Sequence, residues 1–407
     1  MMQIAISSIS DAKVQSQTCG IRNVMVKQSI VVVSLLLVGC ANRSHLPQTP
    51  AVIAMENCAR PGHVFAYEQF PNYDPGNRYW KIVTDGVNSY LGEHYEYSIY
   101  INAHQWDGRY FNYNVTKNFE GNPARVIFDN DGLPKVKYEA VPEANYAGGF
   151  EYNPTTLIQF ALMEHAKYLA GDKSQLPVLL RAIDKLLSMQ NASGGFEYPF
   201  PYHHFQNVNT YMPGWTSAIA QGQALSLLAR AYSLTGNKAY IEAGDKALAF
   251  LLTDTKAGGS RDSLASLSPS LSRYVMFEEY PIVPPDTKSN YTVNGFIHTL
   301  IGLHDWSYVK EAGDDATIAG GYFACGLATL KMIVPYADIG GFSAYDLGHV
   351  IYKRNPIVNP SYHDTHIYML YTLHNLTNDP FFKEWADRWA MDVDPELKYY
   401  KKYLATK

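Results

Sequence analysis

The chain has 407 residues, 47% of them hydrophobic and 17% charged, with a formal charge of -5. That is the composition of a folded protein with a large core, and it excludes disorder along most of the length. The negative balance, with no Lys or Arg run, also excludes a general electrostatic attraction to nucleic acid or to an anionic membrane surface.

In chain order, Lys27 precedes an apolar run from Ile30 to Val38 that is too short to span a bilayer and has the proportions of a signal peptide. The run ends in Leu37-Val38-Gly39-Cys40, which resembles a bacterial lipobox and predicts cleavage before Cys40 and acylation of that Cys. Residues 1–40 are then an upstream extension plus lipoprotein signal peptide. Ala41 after the Cys matches lipoproteins sent to the outer membrane, so the expected place is the bacterial cell envelope, facing the periplasm, with membrane contact through the lipid anchor only. Residues 41–60, polar and Pro-containing, read as a tether. Beyond Cys40 only Cys58 and Cys325 remain. Neither has a partner at ligand spacing, so no metal site is expected. Cys325 reads as a packed helix residue, and an oxidising envelope would also allow a disulfide to Cys58.

Residues 61–147 read as a small antiparallel β module. Tyr95, Tyr97, Ile99 and Ile101 alternate up to Asp107-Gly108, and Val126 to Phe128 and Val136 to Tyr138 flank Asn130-Asp131-Gly132, two hairpin signals. After Gly148 the period becomes helical, predicting helices near 154–170, 175–190, 215–233, 237–253, 292–309, 314–333, 363–375 and 380–391. Loops alternate short and long, and Gly148-Gly149-Phe150-Glu151-Tyr152 recurs as Gly194-Gly195-Phe196-Glu197-Tyr198 and, in part, as Gly340-Gly341-Phe342. Such self-similarity predicts a mainly α fold, an incomplete α/α toroid of about four helical hairpins over residues 148–395, with a tail at 396–407. The run Gly214 to Tyr232 is apolar or small on nearly every face and belongs in the core, with Gln221 and Gln223 in core hydrogen bonds. The 32 Tyr cluster near Gly and Pro, where a ring with a polar tip can serve as a sugar platform, although most are expected to pack in seams.

Five segments carry a specific resemblance: Gly214 to Tyr232; Glu278-Glu279-Tyr280-Pro281; Val293-Asn294-Gly295-Phe296 with Leu300-Ile301-Gly302-Leu303; Tyr345-Asp346-Leu347; and Tyr362 with Thr365-His366-Ile367. In this order they resemble the C-terminal domain of the D-glucuronyl C5-epimerases over roughly residues 148–390. The resemblance implies an isomerase without cofactor that inverts C5 of D-glucuronate to L-iduronate within a heparosan-like polysaccharide. That reaction removes a proton α to a carboxylate and returns one from the opposite face, so proton-transfer groups must flank the ring. By the resemblance these are Glu279 and Tyr362 as the opposed pair, with Tyr280 and Tyr345 supporting them. Expected substrate contacts are Asn294, His366, which lies one turn after Tyr362 on the same helix face, and Arg354.

One position departs from the family. Many animal members carry Arg where this chain has Gly348, and a cation is needed near the substrate carboxylate. Arg354, Lys353 or His349 could supply it from the same loop. Two alternatives stand beside the epimerase: a uronate polysaccharide lyase, whose first step is the same, and a non-catalytic glycan-binding lipoprotein. The expected partner in each case is a glucuronate-containing polysaccharide, and a homodimer is allowed.

Overall fold

A computed structural model of the protein describes residues 58–59, 119, 123–204, 210–282, 288–340, 342–358 and 360–393. The expected signal peptide and lipobox, the hairpin expected at 95–114 and the expected tail from 396 lie outside these residues.

The second predicted hairpin forms. Strand β1 (Val126–Phe128) pairs antiparallel with β2 (Pro134–Tyr138), Val126 opposite Val136. Asp129 holds the turn by accepting from the backbone N–H groups of Asp131 and Leu133. The sheet does not stop at residue 147. Strand β3 (Gly149–Glu151) adds to β2, with Tyr138 opposite Gly149. The reversal depends on Gly148, which has φ +83° and lies where a Cβ would meet the Tyr138 carbonyl at 2.9 Å. The first Gly-Gly-Phe therefore begins a strand, while the first glycines of all three copies, Gly148, Gly194 and Gly340, share positive φ.

All eight predicted helices are present, and the fold is mainly helical. Helix α1 (Pro154–Leu169) starts with Pro after Asn153, whose side chain accepts from Thr156 N–H at 3.0 Å. It packs with α2 (Leu176–Leu187) as a hairpin, as do α3 (Ala218–Thr235) with α4 (Ala239–Leu252) and α5 (Val293–Trp306) with α6 (Asp314–Ala337). After a short helix α7 (Gly348–Ile351), α8 (Pro360–Thr377) packs with α9 (Pro380–Val393). The first members also pack on one another, α1 on α3, α3 on α5 and α5 on α8.

Helix α3 is buried at every position from Ala218 to Ala231 and α5 along its whole length, as expected of helices apolar on all faces. Their backbones meet at two glycines. A Cβ on Gly302 would lie 1.9 Å from the Gly222 carbonyl oxygen, and one on Gly222 would lie 2.4 Å from Cα of Thr299. Gln221 bonds Gly194 O at 3.2 Å and Phe196 N at 2.8 Å once its amide is turned to match donors with acceptors, so it ties α3 to the second Gly-Gly-Phe turn. Gln223 accepts from Gln159.

Cys58 and Ala59, assigned to the tether by sequence, are fixed in the fold. Cys58 forms a disulfide with Cys325 of α6, and Ala59 N–H donates to the Arg273 carbonyl at 2.7 Å. The polar composition around them hid an anchored end.

Candidate active site

Strand β4 (Arg261–Ser263) pairs with β5 (Val275–Phe277), and the chain leaves β5 into Glu278 and Glu279 at the N-termini of α3 and α5. Ala218 N–H donates to the Glu278 carbonyl, and Ser217 Oγ donates to the Glu279 carbonyl at 2.6 Å. Tyr211 Oη donates to the Pro281 carbonyl at 2.9 Å. With Glu278 N–H donating to the Ser260 carbonyl at 2.8 Å, four hydrogen bonds thus hold the main chain of Glu-Glu-Tyr-Pro. Tyr345 follows the third Gly-Gly-Phe turn and is bracketed by its own backbone, its N–H donating to Ile357 O and its carbonyl accepting from Val293 N–H.

The side chains converge. Tyr345 Oη donates to Glu279 Oε1 at 3.2 Å, and the rings of Tyr345 and Tyr362 lie 4.5 Å apart. Glu279 and Tyr345 are buried, whereas Tyr362, at the start of α8, is 36% exposed and marks the open side. Burial pushes the Glu279 carboxyl up to about 7, against the hydrogen bonds from Tyr345 and Tyr280, which favour its ionised form. Burial and the neighbouring Glu279 push Tyr362 up to about 12, and burial pushes Tyr280 and Tyr345 well above the ordinary phenol value. At neutral pH the site therefore offers one carboxyl near half-ionisation and phenols that keep their protons.

The glycine of Asn294-Gly295 is part of this geometry. A Cβ on Gly295 would lie 2.0 Å from Glu279 Oε2, so the carboxyl occupies the space a side chain would need. Gly295→Ala is expected to leave the fold intact by circular dichroism while cutting activity at least about tenfold, because a displacement of about 1 Å at a proton-transfer group is costly. Unchanged turnover would separate Glu279 from the chemistry. Asn294 beside it is 5% exposed with a buried Oδ1 that has no hydrogen-bond partner among the described residues.

Two expected substrate contacts sit differently. His366 is fully buried, its Nδ1 2.8 Å from Ser343 Oγ and its ring against Trp389. Burial pulls its pKa down to about 3, with His363 and His298 adding repulsion, so it is held neutral in the core, with Nε2 left without a hydrogen-bond partner among the described residues. One turn along a helix is about 5.4 Å deeper, which carries α8 from the open side at Tyr362 into the core at His366. Arg354 is near the site, but Nη2 is bound to Asp346 Oδ2 at 3.1 Å and Asn290 Oδ1 at 3.3 Å. A Cβ on Gly348 would lie 2.0 Å from that Nη2, so the missing side chain at 348 is what admits Arg354. Its charge faces the buried Asp346 behind Tyr345. Lys353 has positive φ, and both ring nitrogens of His349 face backbone carbonyls, of Asp346 and Tyr336.

Sequence reading missed the aromatic wall beside Tyr280. Trp215 stacks on Tyr198 at 3.8 Å, and Tyr202 and Tyr280 lie within 6.4 Å of Trp215. The signal was the density of rings from Phe196 to Trp215. His204 packs on Tyr280 at 4.1 Å, whereas His203 is exposed and faces Glu143.

Fold and site together define a mainly α-helical protein with a buried carboxyl hydrogen-bonded to a phenol and a second phenol packed beside it. Residues 190–391 match the family described as D-glucuronyl C5-epimerase C-terminus. Through these residues the chain belongs to that domain family. It is 31% identical over 217 residues to the D-glucuronyl C5-epimerase of Caenorhabditis elegans, covering 51% of this chain and 33% of that one. It is 26% identical over 195 residues to an uncharacterized protein of Methanocaldococcus jannaschii, covering 48% and 56% respectively. The matched stretch thus spans a third and just over half of these relatives.

Proposed function

We propose that this protein is a uronyl C5-epimerase acting on D-glucuronate units of a heparosan-like polysaccharide. The observation that carries the reading is the hydrogen-bonded Glu279–Tyr345 pair with Tyr362 packed beside it, on a carboxyl raised to about 7. The substrate ring sits between Glu279 and Tyr362. Glu279, ionised in about half the molecules at neutral pH, takes the C5 proton, and Tyr362, which holds its proton to about 12, returns one from the other face. The raised phenol values make this order easier than its reverse, which would require a phenolate at the start. Tyr345, joined to Glu279 and packed on Tyr362, and Tyr280 carry the proton back between them after turnover. The N-termini of α3 and α5 favour the negative charge that the enolate-like transition state develops. Incubation with a glucuronate polymer should yield iduronate in the product by NMR, and a product with glucuronate alone would count against the reading.

Residues 1–40 are proposed to direct the chain to the bacterial envelope, with acylation at Cys40. The Cys58–Cys325 disulfide supports an oxidising compartment. Fatty-acid labelling should mark the wild type and not Cys40→Ser, and label retained by the variant would refute the anchor.

A further inference from the structure

The rings of Tyr202, Trp215 and Tyr280 have an unusual mutual geometry. Their centroids are 5.6, 6.2 and 6.4 Å apart pairwise, and their planes agree to within 25°. Three parallel rings piled face on face would put the outer two at twice the inner spacing. Near-equal spacings rule out a single pile, and spacings shorter than a ring's width rule out one flat plane, so the three rings are parallel and mutually offset. Buried Tyr198 covers one face of Trp215, 3.8 Å away at 15°. All three rings remain half-buried, so the cluster keeps part of its aromatic surface toward solvent, and Tyr280 joins it to Glu279 by a hydrogen bond.

A cation lies on the neighbouring β module. Arg125 immediately precedes β1, and its carbonyl accepts from Lys137 N–H, which places it one residue from Tyr138 across the ladder. Tyr138 in turn stacks on Phe200 at 3.9 Å and meets Tyr202 edge-on at 6.3 Å. Arg125 is exposed, and no carboxylate pairs with it among the described residues. Its positive charge opposes the burial that raises the Tyr138 and Tyr362 phenols, so it is within electrostatic reach of both.

We propose that Tyr202, Trp215 and Tyr280, with Arg125, form a second saccharide subsite that takes a neighbouring pyranose of the polymer face-on against the rings and pairs an anionic group of the chain with Arg125. The sugar class rests on the epimerase reading, while the ring cluster and the cation do not. An apolar pyranose face suits a flat aromatic surface, and a guanidinium suits a carboxylate or sulfate in a bidentate pair. The subsite also gives a charge for the polymer anion from the β module, where Arg354 is committed to Asp346.

The test is equilibrium binding of defined oligosaccharides, by calorimetry, to the Glu279→Gln protein, so that no turnover is needed and failure of catalysis cannot be mistaken for failure of the subsite. Adding Trp215→Ala or Arg125→Ala should each raise the Kd of an unsulfated glucuronate oligosaccharide by about tenfold. Trp215→Phe should keep most of the affinity, which guards against misfolding as the cause. Arg125→Ala should also flatten the salt dependence and leave a neutral N-acetylhexosamine oligosaccharide unaffected. A loss confined to sulfated oligosaccharides would assign the anion as sulfate. Wild-type affinity for every oligosaccharide in both alanine variants would overturn the proposal.

Discussion

Glu279→Gln is expected to slow solvent exchange at C5 of a glucuronate polymer by about a hundredfold or more, the usual worth of a positioned base. The amide keeps the size of the carboxyl and an oxygen to accept from Tyr345 Oη, so the loss isolates basicity. Tyr362→Phe should cost a similar factor by removing the proton returned to the opposite face. The double variant should be little worse than either single one, because the two groups act as a unit. In the wild type the rate should climb as pH rises toward 7 and Glu279 ionises, and that limb should vanish in Glu279→Gln. Purified variants assayed by tritium or deuterium release would decide this. Near-wild-type exchange in Glu279→Gln would remove the carboxyl from the mechanism.

The same substitution is expected to stabilise the fold at alkaline pH. Burial raises the Glu279 pKa from 4.5 to about 7, so between those values the folded protein holds a proton that the unfolded chain has released. Stability from this group is therefore full below pH 4.5, falls as pH rises, and is lost above about 7. The range corresponds to about 3 kcal/mol as an upper bound. Glu278, Asp262 and Asp346 are also raised and contribute in the same direction, so the wild type must be compared with Glu279→Gln rather than read alone. Urea unfolding at pH 5 and pH 8 should show the wild type losing about 2–3 kcal/mol more than the variant. Parallel losses would mean that Glu279 is solvated in the folded state.

Much of this architecture was legible in the sequence because helical periodicity and glycine punctuation are local. The eight helices and the turn at Asn130-Asp131-Gly132 needed no long-range information. Strand β3 was missed because Gly148-Gly149-Phe150 reads equally as a helix-domain turn, and only the backbone contact with Tyr138 makes it a strand. The Cys58–Cys325 bond joins residues 267 apart, and spacing gave no preference for it. The placement of His366 failed for a geometric reason: helix periodicity gives the face, not the depth. At Gly348 the sequence showed a lost cation, but Arg354 fills that space from six residues on. The aromatic cluster draws on Tyr202, Trp215 and Tyr280, whose neighbourhood is fixed by the Pro281 and Glu279 carbonyl contacts that no linear pattern displays.

The central claim, proton transfer at C5 without chain cleavage, is tested most directly in heavy water. The protein is incubated with an unsulfated glucuronate polymer, deuterium at C5 is read by NMR, and chain length and the ultraviolet absorbance of conjugated uronates are followed in parallel. The account predicts deuterium at C5 of both glucuronate and new iduronate, with constant chain length and no absorbance. Unsaturated ends with shortening chains would show a lyase, and polymer that binds but gains no deuterium would show a glycan-binding protein. Either result would contradict the account.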